Sequence, residues 1–204
     1  MANIYRHSNP KLFDKVFSQM QDNLSEGLSW LDNCFPKAER LVKIINGKRI
    51  YTPNYYLGNN EYELILPDSG LGNFSFFTLD EPQNTEYKVW GRTTLKAPFS
   101  LIVWVDMRRM NDGDERNTDA VKQEILQVLN GDFRILEGHY QINRIYEKAE
   151  NVFDGFTLDE VDNQFLMHPF CGWRFTGEAI IKTDCVESVV DNNNNNENEG
   201  NDDK

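Results

Sequence analysis

The run Phe99-Ser100-Leu101-Ile102-Val103-Trp104-Val105-Asp106-Met107 does most to narrow what this chain can fold into. It is nearly continuous in apolar residues, rich in β-formers, and well short of the ~18 needed for a membrane span. A strand with one wet face alternates apolar and polar positions, and this one does not. The run therefore reads as a central strand buried on both faces, which requires neighbours at both edges and a layer over each side.

The neighbours are legible on either side. Leu41-Val42-Lys43-Ile44-Ile45, Asn46-Gly47 and Arg49-Ile50-Tyr51 form the strongest local pattern, two strands joined by a dipeptide suited to a two-residue hairpin turn. Pro53 to Asn60 reads as a loop carrying Tyr55, Tyr56 and Leu57, and Tyr62 to Leu66 as a strand stopped by Pro67. Leu71 to Leu79 and Glu86 to Trp90 are shorter strand candidates. Phe133 to Leu136 and Tyr140 to Tyr146 follow, the latter also permitting a helix through Ile142, Ile145 and Ala149. Gly172 to Cys185 is the last strand, with Gly177 marking a bulge or bend.

Two segments have helical spacing. Leu12, Phe13, Val16, Phe17, Met20, Leu24 and Leu28 predict a helix from Pro10 to about Leu31, capped by Ser8 or Asn9 and weakened at Gly27. Val121, Ile125, Val128 and Leu129 predict a second, capped by Asn117 or Thr118 and ended at Asn130-Gly131. The order predicts an α+β domain, a mainly antiparallel sheet packed by two helices.

Residues 1–9 read as a flexible N-terminus, 10–190 as a single domain, and 191–204 as a disordered tail. That tail holds seven Asn and five acids among its fourteen residues, and nothing in it can offset chain entropy by burial. An apolar share of only 39% over the 204 residues fits a long polar periphery or such a tail. No internal repeat is present. The segment Met1 to Lys11 lacks the apolar middle of a signal peptide, so residence in a cytoplasm is expected.

Acidic residues outnumber basic ones 33 to 21, a formal charge of −12, of which −8 belongs to residues 1–190. Such a balance argues against a sequence-reading nucleic-acid binder and against docking on an anionic membrane. Cys34, Cys171 and Cys185 are few and widely spaced, as expected of buried reduced thiols. His7, His139 and His168 do not pair at metal-ligand spacing, and Cys171 with His168 lacks an orienting third group. Asp106, Asp112, Asp114 and Glu115 form the best acid cluster, a candidate Mg²⁺ or Ca²⁺ site without EF-hand register and with Arg108, Arg109 and Arg116 nearby. Gly70-Leu71-Gly72 is not a dinucleotide loop, and no phosphate-cradling or nucleophile-elbow motif occurs. Neither catalytic residues nor cofactors are expected.

Aromatic residues crowd one stretch instead. Tyr51, Tyr55, Tyr56, Tyr62, Phe74, Phe76 and Phe77 either cap the open end of the sheet or form, with Leu57, a protein–protein patch. Nucleic-acid stacking is excluded because no Lys or Arg lies between Tyr51 and Phe77.

Three segments in order carry a resemblance. They are Arg49 to Pro53 followed by Glu61 to Pro67, Phe99 to Val105 leading into the Asp119–Leu129 helix, and Pro169 to Phe175 running on to Cys185. Over roughly residues 10–185 this order resembles head–tail connector and tail-completion proteins of tailed phages, the tail-terminator type, especially of phages infecting Bacteroidetes. The resemblance implies a non-enzymatic virion protein forming a homo-oligomeric ring in the neck or tail, made in the host cytoplasm. Its implied partners are further copies of itself and portal, neck or tail-tube proteins, with DNA passing through the lumen unbound. The N-terminal helix and the Tyr55–Asn60 segment are then the expected contact regions. The alternatives are a small metal-dependent hydrolase or nuclease using the acid cluster, and an acidic DNA-mimic inhibitor.

Overall fold

The strand predicted at the centre and its partner at the end of the chain are the longest strands among the described residues of the computed structural model. Residues 1–6, 8–67, 70–88, 92–110, 117–130, 138–157 and 166–184 are described. The chain begins β1 (Asn3–Ile4), α1 (Phe13–Gly27), β2 (Asn33–Lys37), β3 (Glu39–Ile45), β4 (Lys48–Gly58) and β5 (Glu61–Leu64). It continues β6 (Phe74–Leu79), β7 (Asn84–Lys88), β8 (Arg92–Asp106), a 3₁₀ turn at Met107–Arg109 and α2 (Thr118–Leu129). It closes with β9 (Gly138–Tyr146), α3 (Ala149–Val152) and β10 (Phe170–Asp184). This is an α+β fold, as the element order predicts. No helix among the described residues is long and apolar enough to cross a membrane.

Among the described residues seven strands form the main sheet in the order β1-β2-β6-β8-β10-β9, with β7 beside β8. The pairs β1–β2 and β2–β6 are parallel and the others antiparallel. β8 and β10 pair without a break from Asp106↔Phe170 to Arg92↔Asp184. Phe99 and every residue from Leu101 to Val105 are at most 1% exposed, because both faces of β8 are covered. On one face Phe99, Leu101, Val103 and Val105 meet α1 and α2 through Val16, Phe17, Met20, Leu24, Val121 and Ile125. On the other, Ile102 and Trp104 join Phe35, Tyr55, Phe74, Phe76, Val152 and Phe153. Each large side chain buried in these layers contributes roughly 1.5–3 kcal/mol.

The first helix is shorter than its apolar spacing predicts. It starts at Phe13, after Leu12 at φ 47 with no side-chain cap, so neither Ser8 nor Asn9 caps it. It ends at Gly27, yet Leu28 and Leu31 are still buried. Apolar periodicity reports burial, and here burial continues past the helix as the chain turns into β2. Asn117 caps α2 as predicted, its side chain accepting from the Ala120 N–H at 3.1 Å.

Within residues 1–9, expected to be flexible, Asn3 and Tyr5 are tied to the sheet. The Asn3 N–H donates to Asp32 O at 2.8 Å, the Tyr5 N–H donates to Cys34 O at 2.9 Å, and the Tyr5 ring stacks on Phe35. The stretch Pro53–Asn60, expected as a loop, is mostly strand, since β4 runs on to Gly58. Pro53 is accommodated because its carbonyl alone serves the ladder there, accepting from the Ile65 N–H at 2.9 Å. Tyr140 to Tyr146 is a strand rather than a helix, and the ladder between β9 and β10 slips at Thr176/Gly177, where a bulge was predicted. Phe133 to Leu136, Gly131 and the 191–204 tail lie outside the described residues.

Candidate protein interface

Among the described residues β3, β4 and β5 form a separate three-stranded antiparallel sheet. Its first turn is the predicted Asn-Gly hairpin, with Asn46 at φ 51 and Gly47 at φ 77 closing the Ile45↔Lys48 pair. Only Gly takes such an angle without cost, and Asn tolerates it best among the others.

The root of this sheet is fastened to the body. Tyr55 is 3% exposed, its ring lying 4.9 Å from that of Phe35, and its hydroxyl donates to Glu63 Oε2 at 2.6 Å. Burial first, and the Glu63 carboxylate second, push the Tyr55 phenol far above its ordinary range. Thr157 holds the next turn of chain, its N–H donating to Tyr51 O at 2.8 Å and its Oγ1 accepting from the Tyr51 N–H at 3.0 Å.

Beyond the root the hairpin stands in water. Val42 is 54% exposed and Ile44 74%, while Ile45, Tyr56, Leu57, Tyr62 and Leu64 are also exposed. Cross-strand pairing puts Val42 opposite Tyr51 and Ile44 opposite Arg49, all on one face. The Arg40 guanidinium lies 3.8 Å from the centre of the Tyr51 ring, a cation–π contact that flattens this face. Tyr56 and Tyr62 pair on the opposite face with ring centres 5.1 Å apart.

The predicted patch divides accordingly. Phe74, Phe76, Phe77 and Tyr55 are core residues, and they cannot form a surface patch in this fold. β6 is covered on both faces, so Phe77 stacks on Phe17 of α1 while Phe74 stacks on Trp104 in the other layer. Tyr51 is half-buried, and Tyr56 and Leu57 remain at the surface. The apolar side of α1 is likewise used up in the core.

Val42, Ile44, Ile45 and Leu64 were not singled out from sequence. A usable signal was the charge of the hairpin, where Arg40, Lys43, Lys48 and Arg49 face a single acid, Glu39, in a chain of −12. A basic arm on an acidic protein is a charge contrast that whole-chain composition hides.

Arg108 clamps Asp106 with Nε donating to Oδ1 at 2.9 Å and Nη2 donating to Oδ2 at 2.8 Å. That hydrogen bonding holds the Asp106 carboxyl below its ordinary range against the opposing effect of burial. Asp112, Asp114, Glu115, Arg116, His7 and Cys185 lie outside the described residues. Among the described residues no three His, Cys, Asp or Glu side chains gather to hold a metal. Cys34 and Cys171 are buried, and burial pushes the Cys34 thiol up to about 12. A cleft of about 430 Å³ runs beside the sheet root between Tyr5, Arg6 and the Tyr55–Gly58 end of β4. Its cation, Arg6, pairs with Asp22 at 2.9 Å.

No protein-family model matches the chain, and no curated protein is significantly similar to it in sequence.

Proposed function

We propose that this chain is a structural virion protein that forms a homo-oligomeric ring in the neck or tail of a tailed phage, joining head to tail or completing the tail. The observation that carries this reading is the β3-β4-β5 sheet, which holds Val42, Ile44, Leu57 and Tyr62 in water on a scaffold fixed at its root. Apolar side chains gathered on a projecting sheet mark a surface meant to be covered. The phage setting rests on the resemblance in element order, from the Arg49–Pro67 strands to the closing Pro169–Cys185 strand.

In this role the chain works by shape and needs no catalytic residue or cofactor. Its partners are other copies of itself and portal, neck or tail-tube proteins, each ring contact burying more than about 1,000 Å². A chain of −12 suits the wall of a channel through which DNA slides without sticking. Assembly takes place in the host cytoplasm and the product resides in the virion.

Size-exclusion chromatography with light scattering, joined to negative-stain imaging of the chain co-expressed with neck proteins, tests the proposal. A discrete oligomer, alone or on a partner, is the expected result. A monomer that ignores every neck partner would overturn it.

A further inference from the structure

The two edges of the β3-β4-β5 sheet are open among the described residues, and they carry opposite charge. β3 presents Arg40 and Lys43, with Glu39 at its start, while β5 presents Glu61 and Glu63. Which backbone groups point outward follows from the ladders. Tyr51 exchanges both of its bonds with Thr157, on the side away from β3, so the Val42–Tyr51 pair is not hydrogen-bonded across the hairpin. Arg40, Val42 and Ile44 therefore turn their N–H and C=O groups to the free edge. At the other edge Pro53 O takes the Ile65 N–H, which by the same alternation turns Tyr62 and Leu64 outward.

We propose that β5 of one copy adds in parallel to β3 of the next, so that successive copies join their small sheets head to tail. The inference deepens the ring reading and rests on it. β3 and β5 are both antiparallel to β4 and so run the same way. A ring axis along the strands preserves that direction and the face of the sheet across each junction. Glu61 and Glu63 then share a face with Arg40, Val42 and Ile44 of the adjoining copy, and opposite charges meet along the seam. Pairing β3 with β3, or β5 with β5, would oppose like charges. The two-fold dimer is thus disfavoured against a heterologous contact, the kind that closes into rings. DNA is the poorer occupant of the basic edge, because Val42 and Ile44 alternate with its charges and gain nothing from phosphates.

Sedimentation velocity of the full chain tests the junction with two charge reversals, Arg40→Glu/Lys43→Glu and Glu61→Lys/Glu63→Lys. Each variant alone should associate about tenfold more weakly than the wild type. An equal mixture should recover wild-type association, because every junction again pairs opposite charges. Tyr62→Pro removes an outward N–H and no bond to β4. It should block association while the chain stays folded, with a melting temperature lowered only by loss of the Tyr56 ring contact and the Tyr62 hydroxyl bond to Glu39, which covers the case in which loss of the Tyr55 acceptor unfolds the Glu63 variant. Variants that assemble as well as an oligomeric wild type overturn the junction and leave the ring reading standing. A wild-type chain that stays monomeric at every concentration and with every neck protein overturns both. Retardation of a DNA duplex by the wild type, lost in Arg40→Glu/Lys43→Glu, assigns the basic edge to DNA and overturns the junction alone.

Discussion

Gly177 of β10 lies directly against the carbonyl oxygen of Gln141 on β9, where the ladder slips by one residue and leaves no room for a Cβ. The obstacle is backbone, held by ladder bonds on both sides. Gly177→Ala should therefore destabilise the fold by about 2–3 kcal/mol, and Gly177→Val by more. Urea unfolding checks this, and an alanine variant as stable as the wild type would show that β9 can shift outward.

The hairpin turn offers a local test. Gly47 at φ 77 has open space around it, so a methyl group there meets only backbone strain. Gly47→Ala should cost about 1 kcal/mol, and the cost should appear as faster amide exchange between Arg40 and Tyr51 with the β8–β10 ladder unchanged.

Asp106 links the end of β8 to the turn after it. Its backbone N–H donates to Asn73 Oδ1 at 2.7 Å while its carboxylate holds Arg108. Because the folded carboxyl lies below its ordinary 3.8, its contribution is complete above that pH and is lost as pH falls through the lowered value. Asp106→Asn should cost about 2 kcal/mol at neutral pH, and the gap should close in acid. Chemical denaturation of both proteins between pH 7 and about 2 reads the difference.

Cys34 works in the opposite direction. Its thiol is raised from 9.0 to about 12, mainly by burial, so the stabilisation tied to the neutral form is whole below 9.0 and drains away as pH climbs toward 12. The partly buried Tyr140 phenol, raised from 10.0 to about 12 by desolvation, adds to the alkaline loss. Cys34→Ala should be less stable at pH 7 by about 1–2 kcal/mol, yet should show a shallower decline above pH 9. Equal slopes for the two proteins would mean that Cys34 titrates in the fold as it does in the unfolded chain.

The central strand, the Asn-Gly turn, α2 and the bulge at Gly177 were legible because each has a local cause in a few adjacent residues. Pro53–Gly58 was misread because Pro and Asn signal a break, whereas a proline needs only a ladder position that asks nothing of its nitrogen. The N-terminal strand was missed because two residues beside Cys34 and Asp32 make no pattern of their own. The aromatic stretch was half legible. Sequence showed the crowding of Tyr55, Phe74, Phe76 and Phe77 but not that β6 is sandwiched, and only β6's cover decides that the phenylalanines face inward. Val42 and Ile44 looked like ordinary strand residues, and their exposure depends on how far the hairpin reaches past the body.

The unbroken β8–β10 pairing has a mechanical meaning. Antiparallel strands pulled apart along their length in shear load every rung together, whereas strands peeled from one end yield rung by rung. With partners registered from Asp106↔Phe170 to Arg92↔Asp184, this pair is a long shear clamp at the middle of the molecule. Tension along β8 and β10 is shared by the whole ladder, and the chain should give way first at its smaller sheet.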